Sequence, residues 1–219
     1  MAMVIDRARD ALLIVDVQRD FLPGGALAVP NGDEILPSLA SVAARFGVVV
    51  ATQDFHPPGH VSFASSHSGR AVLDLVPVYG HPQVLWPDHC VAGSSGAALD
   101  AAVPDVGLSL ILRKGMRPDV DSYSAFREQP GPGAGRVSTG LGAWLHARGV
   151  ERVFVVGLAR DYCVRATAVD AVDEGFTAIV LDDLTRAVDP GRRDETDVVW
   201  RRAGVRVASS QELMAPAQS

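Results

Sequence analysis

The sequence predicts an α/β fold built on a parallel sheet, and two observations carry the prediction. Short runs rich in Val and Ile recur at 11–17, 47–53, 108–113, 152–158, 177–182 and 205–209; they have strand length and are mostly apolar, as strands buried on both faces are. Four intervening segments carry helix-like sequence closed by a glycine just before the next strand. These are Gly47 after ILPSLASVAARF, Gly149 after LGAWLHAR, Gly175 after VRATAVDAVDE and Gly204 after TDVVWRRA. Glycine accepts the left-handed, helix-ending conformation at little cost, so the pattern reads helix, Gly, strand at all four places. Its repetition is what a parallel sheet with crossover helices requires.

The chain has 219 residues, 47% of them hydrophobic, enough for one buried core. No linker or internal repeat divides it, and a single domain over 1–219 is expected. A formal charge of −6 without a dense basic run speaks against nucleic acid as the main partner, and the substrate is expected to be small. The N-terminal apolar run, Ala11 to Val15, is bounded by Asp10 and Asp16. It is too short for a signal peptide or a membrane span, and a cytoplasmic protein is expected. In that reducing compartment Cys90 and Cys163 are expected to be free thiols. The sequence leaves a homo-oligomer open.

The stretches 54–107 and 114–138 hold most of the Pro, His and Ser and read as long functional loops. Whether 117–139 is a mobile lid is left open. In an open α/β sheet the binding crevice lies beyond the carboxyl ends of the strands. Asp16 follows LLIV, Asp54 and His56 follow VVVATQ, Lys114 follows LILR, and Cys163 follows VFVVGL after a short turn. Singly, an Asp there is a turn former, a Lys a solvated charge and a Cys a small buried hydrophobe. Together they bring acid, imidazole, ammonium and thiol to one edge.

Cys163 opens a helical segment, where the first N–H groups and the helix dipole favour thiolate, and a nearby ammonium would favour it further. Lys114 is the only lysine among nineteen arginines. A compact ammonium can act as a point charge between a thiolate and a carboxylate, whereas a planar guanidinium is larger and seeks a bidentate partner. A second constellation is ATQDFHPPGHVSF with WPDHC. Asp54 and His56, two apart on an extended segment, can face one ion. The Pro57–Pro58–Gly59 turn can return His60 to it, and His89 can approach from its own loop. One Asp with two or three His suits Zn, Fe or Mn. His67, His81 and His146 read as ordinary polar residues. GPGAG at 131–135 follows no strand and contains a proline, so it is a loop rather than a nucleotide cradle, and no NAD is expected.

The stretches ALLIVDVQRDFLPGGALAVP, ATQDFHPPGHVSFASSH, LWPDHCV, RKG, VDSYSAF and VVGLARDYCVRATAVDA resemble the nicotinamidases (pyrazinamidases) of the isochorismatase-like cysteine hydrolase superfamily. The resemblance runs in order over most of the chain. It implies a six-stranded parallel sheet with helices on both faces and an Asp16, Lys114, Cys163 triad. It implies one divalent ion, zinc first and iron or manganese after it, on Asp54, His56 and His89, with His60 a ligand in some members. It also implies a cis peptide before Ala159, an oxyanion hole from the N–H groups of Ala159 and Cys163, and a ring pocket lined by Phe21, Trp86 and Tyr123. The implied activity is deamidation of nicotinamide, and of pyrazinamide-like amides, to the acid and ammonia through a thioester, in NAD salvage. The alternative is another amidase of the superfamily, acting on N-carbamoyl or other heteroaromatic amides. Two positions depart from the family pattern: Arg160 where many members have Thr, and Phe55 where many have Trp. Arg160 lies beside the implied oxyanion hole, which leaves the substrate range open.

Overall fold

The computed structural model describes residues 3–103, 107–133 and 135–214. Among these residues ten strands are formed: β1 (Met3–Val4), β2 (Asp10–Val15), β3 (Val48–Asp54), β4 (Leu75–Val78), β5 (His81–Val84), β6 (Leu110–Lys114), β7 (Arg152–Leu158), β8 (Thr177–Arg186), β9 (Arg206–Ala208) and β10 (Leu213–Met214). The α-helices are α1 (Leu36–Ala43), α2 (Leu141–His146), α3 (Cys163–Asp173) and α4 (Arg193–Ala203). Six strands pair in parallel in the order β6-β3-β2-β7-β8-β9. The six expected runs are those six strands.

Alternate residues of the central strands feed two cores. Leu12, Ile14, Phe154, Val156, Ile179 and Leu181 pack on the side of α1, with its Leu39, Val42 and Ala43. Leu13, Val15, Val153, Val155 and Val180 pack on the other side, against Leu141 and Leu145 of α2, Val164 and Ala168 of α3, and Trp200 of α4. Both faces are therefore covered, which is why the strand sequences are apolar rather than alternating. Each fully buried large side chain contributes roughly 1.5–3 kcal/mol, and Trp200, Phe154 and Leu13 have no exposure at all. The chain proceeds from β2 outward to β3 and β6, then returns to β7 and proceeds outward the other way. The switch point thus lies between the carboxyl ends of β2 and β7, where a crevice is forced open.

Three of the four helix-closing glycines, Gly149, Gly175 and Gly204, have positive φ as expected. Gly47 does not, and its role is different. A Cβ there would lie 2.2 Å from the Arg7 carbonyl oxygen, so glycine is needed for close approach rather than for a cap. The stretch 54–107 is less irregular than expected, because β4 and β5 form an antiparallel hairpin. Proline in both strands, Pro77 paired with Pro82, hides it from a strand reading. Its turn, Tyr79 and Gly80, has positive φ at both residues, as a tight hairpin needs. The stretch after β6 is tied down: Arg127 pairs with Glu174 at 2.7 Å and Arg136 with Asp170 at 2.6 Å, both carboxylates on or just past α3.

Candidate active site

Asp16 is the first residue past β2 and has φ +49°, a left-handed conformation costly for a residue with a side chain. Its carboxylate is fully buried. Oδ1 accepts from Thr52 Oγ1 at 2.6 Å; Oδ2 lies 2.8 Å from Lys114 Nζ but outside hydrogen-bonding geometry, so it has no hydrogen-bond donor. Asp54 ends β3 and Lys114 ends β6, and the two are register partners. Lys114 Nζ is 2.5 Å from Asp54 Oδ1, 2.9 Å from the Ser122 carbonyl oxygen and 3.5 Å from Cys163 Sγ. The expected acid, ammonium and thiol are therefore brought together. The Leu158–Ala159 peptide is cis. The N–H groups of Ala159 and Cys163 take no part in the turn and loop hydrogen bonds around them, and Cys163, opening α3, has no acceptor within the helix.

Burial raises Asp16 to about 6, against the pull of Lys114 and with a further push from Asp54. Burial alone would lower Lys114, but Asp16 and Asp54 hold it well above its ordinary value, and it stays charged. The thiol departs from expectation. Burial pushes Cys163 well above its usual range, with Lys114 opposing and Asp16 and Asp54 adding to the rise. The resting group is a neutral thiol, so it needs a base beside it, and a carboxylate oxygen of Asp16 lies within 4.8 Å of Sγ.

The second constellation also assembles. Asp54, His56 and His89 place one ligand atom each within 4.8 Å of one another. Nδ1 of His56 faces the Gly115 carbonyl oxygen at 2.9 Å, and Nδ1 of His89 faces that of Pro87 at 2.8 Å. Carbonyls can only accept, so each ring carries its proton on Nδ1 and turns a lone pair on Nε2 inward. Burial lowers His56, and burial with the neighbouring His56 lowers His89, so both stay neutral. Burial would raise Asp54, but Lys114 holds it down. One carboxylate and two neutral imidazoles fit a divalent cation. The RKG glycine belongs to this arrangement. Gly115 has φ +64°, and a Cβ on it would lie 2.4 Å from the His56 ring. His60 does return as expected and stacks on His56 at 4.2 Å, but its ring nitrogens face Ser62 Oγ at 2.7 Å and the Val120 carbonyl oxygen at 3.2 Å. Its ligand atoms group with His56 and Asp121 rather than with Asp54 and His89.

A small cavity touches Cys163, Ala159, Asp54 and His89 at once. Phe21, Trp86 and Tyr123 line it. Leu27, Tyr162 and Val188 line it too and escaped the sequence reading. Tyr162 adjoins Cys163 in the chain, which is a usable signal; Val188 and Leu27 carry none. Arg160 does not line it. Its guanidinium is 3% exposed, paired with Asp182 at 2.9 Å and Asp197 at 2.5 Å, and lies 4.5 Å from the Trp200 ring centroid. The residue that departs from the family pattern is a tie between β8 and α4. Phe55 lies outside the cavity as well, under the Arg113 guanidinium at 4.1 Å. Among the described residues, no helix is long and apolar enough to cross a membrane.

A thiol flanked by carboxylate and ammonium, at the switch point of a parallel α/β sheet, is the arrangement of a cysteine hydrolase. The chain belongs to the isochorismatase family, whose domain matches residues 10–212. It is 44% identical over 207 residues to the nicotinamidase of Acinetobacter baylyi, covering 93% of this chain and 94% of that one. Among solved structures, PnC1 from L. infantum in complex with nicotinate matches with a TM-score of 0.85 at 40% identity, over 98% of this chain and 99% of that one. The pyrazinamidase of Pyrococcus horikoshii in complex with zinc matches with a TM-score of 0.73 at 33% identity, over 92% and 99%.

Proposed function

We propose that the protein is a nicotinamidase that hydrolyses nicotinamide to nicotinate and ammonia, with Cys163 as nucleophile, Asp16 as proton carrier and Lys114 as the cation that holds their charge. The observation that carries this reading is the cavity itself, in which the thiol and the Asp–His–His cluster meet within walls formed by Phe21, Trp86, Tyr123 and Tyr162. A small flat ring with a carboxamide on one side and a ring nitrogen on the other meets both groups. Asp54, His56 and His89 would hold a divalent ion, zinc being favoured by two nitrogens and one oxygen. When bound, it supplies a Lewis acid for the ring nitrogen.

The aromatic walls fix the plane of the ring and so the carboxamide carbon beside Sγ, an ordering worth on the order of 7 kcal/mol in favourable cases. Asp16 takes the thiol proton as sulfur bonds to that carbon, and Lys114 neutralises the sulfur as it becomes anionic. The carbonyl oxygen becomes an oxyanion within reach of the Ala159 and Cys163 N–H groups, each such donor being worth roughly 3 kcal/mol. Asp16 returns the proton to nitrogen, the C–N bond breaks, and ammonia leaves a thioester. Water then attacks with Asp16 again taking the proton, and the thiol is restored as nicotinate departs.

The test is ammonia release from nicotinamide by the purified protein, beside Cys163→Ala and beside a chelator-stripped sample. Release that disappears in the variant, disappears on stripping and returns with added zinc is the expected result. A metal-loaded wild type that releases none would overturn the substrate assignment.

A further inference from the structure

The three residues before the nucleophile all bond to the segment that runs from β8 through α4. Arg160 donates to Asp182 within β8 and to Asp197 within α4. Asp161, 1% exposed, accepts the N–H groups of Val188 and Asp189 at 2.9 and 3.0 Å, which sets Val188 against the cavity. Tyr162 accepts at its hydroxyl from Arg192 Nη1 at 3.0 Å. The remaining guanidinium nitrogens of Arg192 grip Glu195 in a fork, at 3.0 and 2.9 Å. The donor to Tyr162 is thereby held in one orientation.

Tyr162 is the wall that this donor controls. Its ring stands edge-on to Trp86, centroids 4.8 Å apart at 85°, and 5.6 Å from Tyr123. It touches two of the other aromatic walls and is half-buried, where Trp86 is 3% exposed. A half-buried tyrosine at the residue before a helix is free to turn about its side-chain torsions unless its far end is tied, and the Arg192 bond is that tie.

We infer that Arg192 is a positioning residue that limits the size of ring the cavity admits, by holding Tyr162 shut. This rests on the amidase reading for its substrate but not for its geometry. A loosened Tyr162 admits larger rings and holds the small ring less well, whereas the chemistry at Cys163 is left alone.

The test uses Arg192→Met, which keeps the stem and removes the donors, Tyr162→Phe, which removes the acceptor, and the double variant. Two readouts are taken. One is kcat/KM for quinoline-3-carboxamide relative to nicotinamide. The other, which needs no turnover, is the alkylation rate of Cys163 by N-ethylmaleimide relative to iodoacetamide, read on the Cys163 peptide by mass spectrometry. Each single variant is expected to raise both ratios about tenfold, the scale of one hydrogen bond to a charged group, and the double variant to raise them no further, because both remove the same bond. Ratios within about twofold of wild type, or single effects that multiply in the double variant, would overturn the inference. Should Arg192→Met not fold, Tyr162→Phe alone carries the same expectation. A wild type inert toward nicotinamide whose variants still shift the alkylation ratio would defeat the substrate assignment and leave the tie standing.

Discussion

Asp16, Asp54 and Lys114 stand at the ends of β2, β3 and β6, with Cys163 a short turn beyond β7; Trp86, Tyr123, Tyr162 and Val188 face them across the cavity from loops and turns. The first group is placed by strands hydrogen-bonded into the sheet, and its charges then lock one another. The second stands on loops outside the main sheet, and its side chains are oriented by a few bonds: Trp86 Nε1 and Gln83 Nε2 to the Tyr123 hydroxyl, and Arg192 to that of Tyr162. The difference divides the labour of the site. Changes in the strand-end floor should strike the chemical step, and changes in the wall should strike binding and selectivity.

The largest effect is expected from Cys163→Ala. Removing the nucleophile should lower kcat on the order of 10⁶-fold, as loss of a nucleophile does in other acyl-transfer enzymes, while titration calorimetry with nicotinate should still show binding. A variant that loses both would erase the division between floor and wall. Next comes Lys114. Its ammonium lies within 2.9 Å of Asp16, Asp54 and the Ser122 carbonyl, donating to the last two and pairing by charge with the first. A guanidinium is too large for that space and offers the wrong geometry. Lys114→Arg should therefore cost roughly 10²–10³-fold in kcat/KM, nearly as much as Lys114→Met. Lys114→Met should also lower thermal stability, by about 3–5 kcal/mol, because two buried carboxylates lose their shared cation. Full activity in the arginine variant would show that the single lysine of this chain has no chemical reason.

A pH profile sharpens the same comparison. Asp16 must be ionised to take the thiol proton, and burial raises its carboxyl to about 6. The raised value means the active form is present above that pH and is lost as pH falls through it. Stopped assays should show kcat/KM falling about tenfold per pH unit below about 6. Thr52 donates to Asp16 Oδ1 at 2.6 Å, a bond that lowers the carboxyl's pKa. Thr52→Val should accordingly move the acid limb to higher pH, whereas no wall variant should move it.

The division also explains what could be read in advance. Strand-end residues are legible because an apolar run announces where the strand stops, so Asp16, Asp54, Lys114 and Cys163 could be aligned at one edge before any geometry was known. His56 and His89 followed from D-x-H spacing and the WPDHC loop. The wall is harder, because a side-chain bond between loops leaves no periodic trace. Nothing in the sequence links Arg192 to Tyr162, or Asp161 to the N–H groups of Val188 and Asp189. Arg160 drew notice by its departure from a pattern, yet its length carries it away from the cavity to Asp182 and Asp197. Gly47 was read as a helix stop when the constraint came from the Arg7 carbonyl far away in the sequence. The thiol's raised pKa was missed for a related reason, since helix position and a neighbouring charge are visible in sequence and burial is not.

Gln83 offers the smallest and most discriminating test. It sits on β5 of the proline-bearing hairpin, outside the main sheet, and 5% of it is exposed. Its Nε2 reaches Asp121 Oδ2 at 2.8 Å and the Tyr123 hydroxyl at 3.3 Å, and Asp121 Oδ1 takes the Ser122 N–H at 2.7 Å. The hairpin thus steadies both the wall residue Tyr123 and the turn whose Ser122 carbonyl accepts from Lys114. Gln83→Leu keeps the volume and removes the donor, leaving one oxygen of a buried carboxylate without this partner at a cost of about 1–3 kcal/mol in stability. If the bond acts on the wall alone, KM for nicotinamide should rise a few-fold, on the order of one weak hydrogen bond, with kcat changed less than about twofold. A fall in kcat with unchanged KM would mean that the strain passes through Ser122 to Lys114, and the floor would then depend on the hairpin as well as on the sheet.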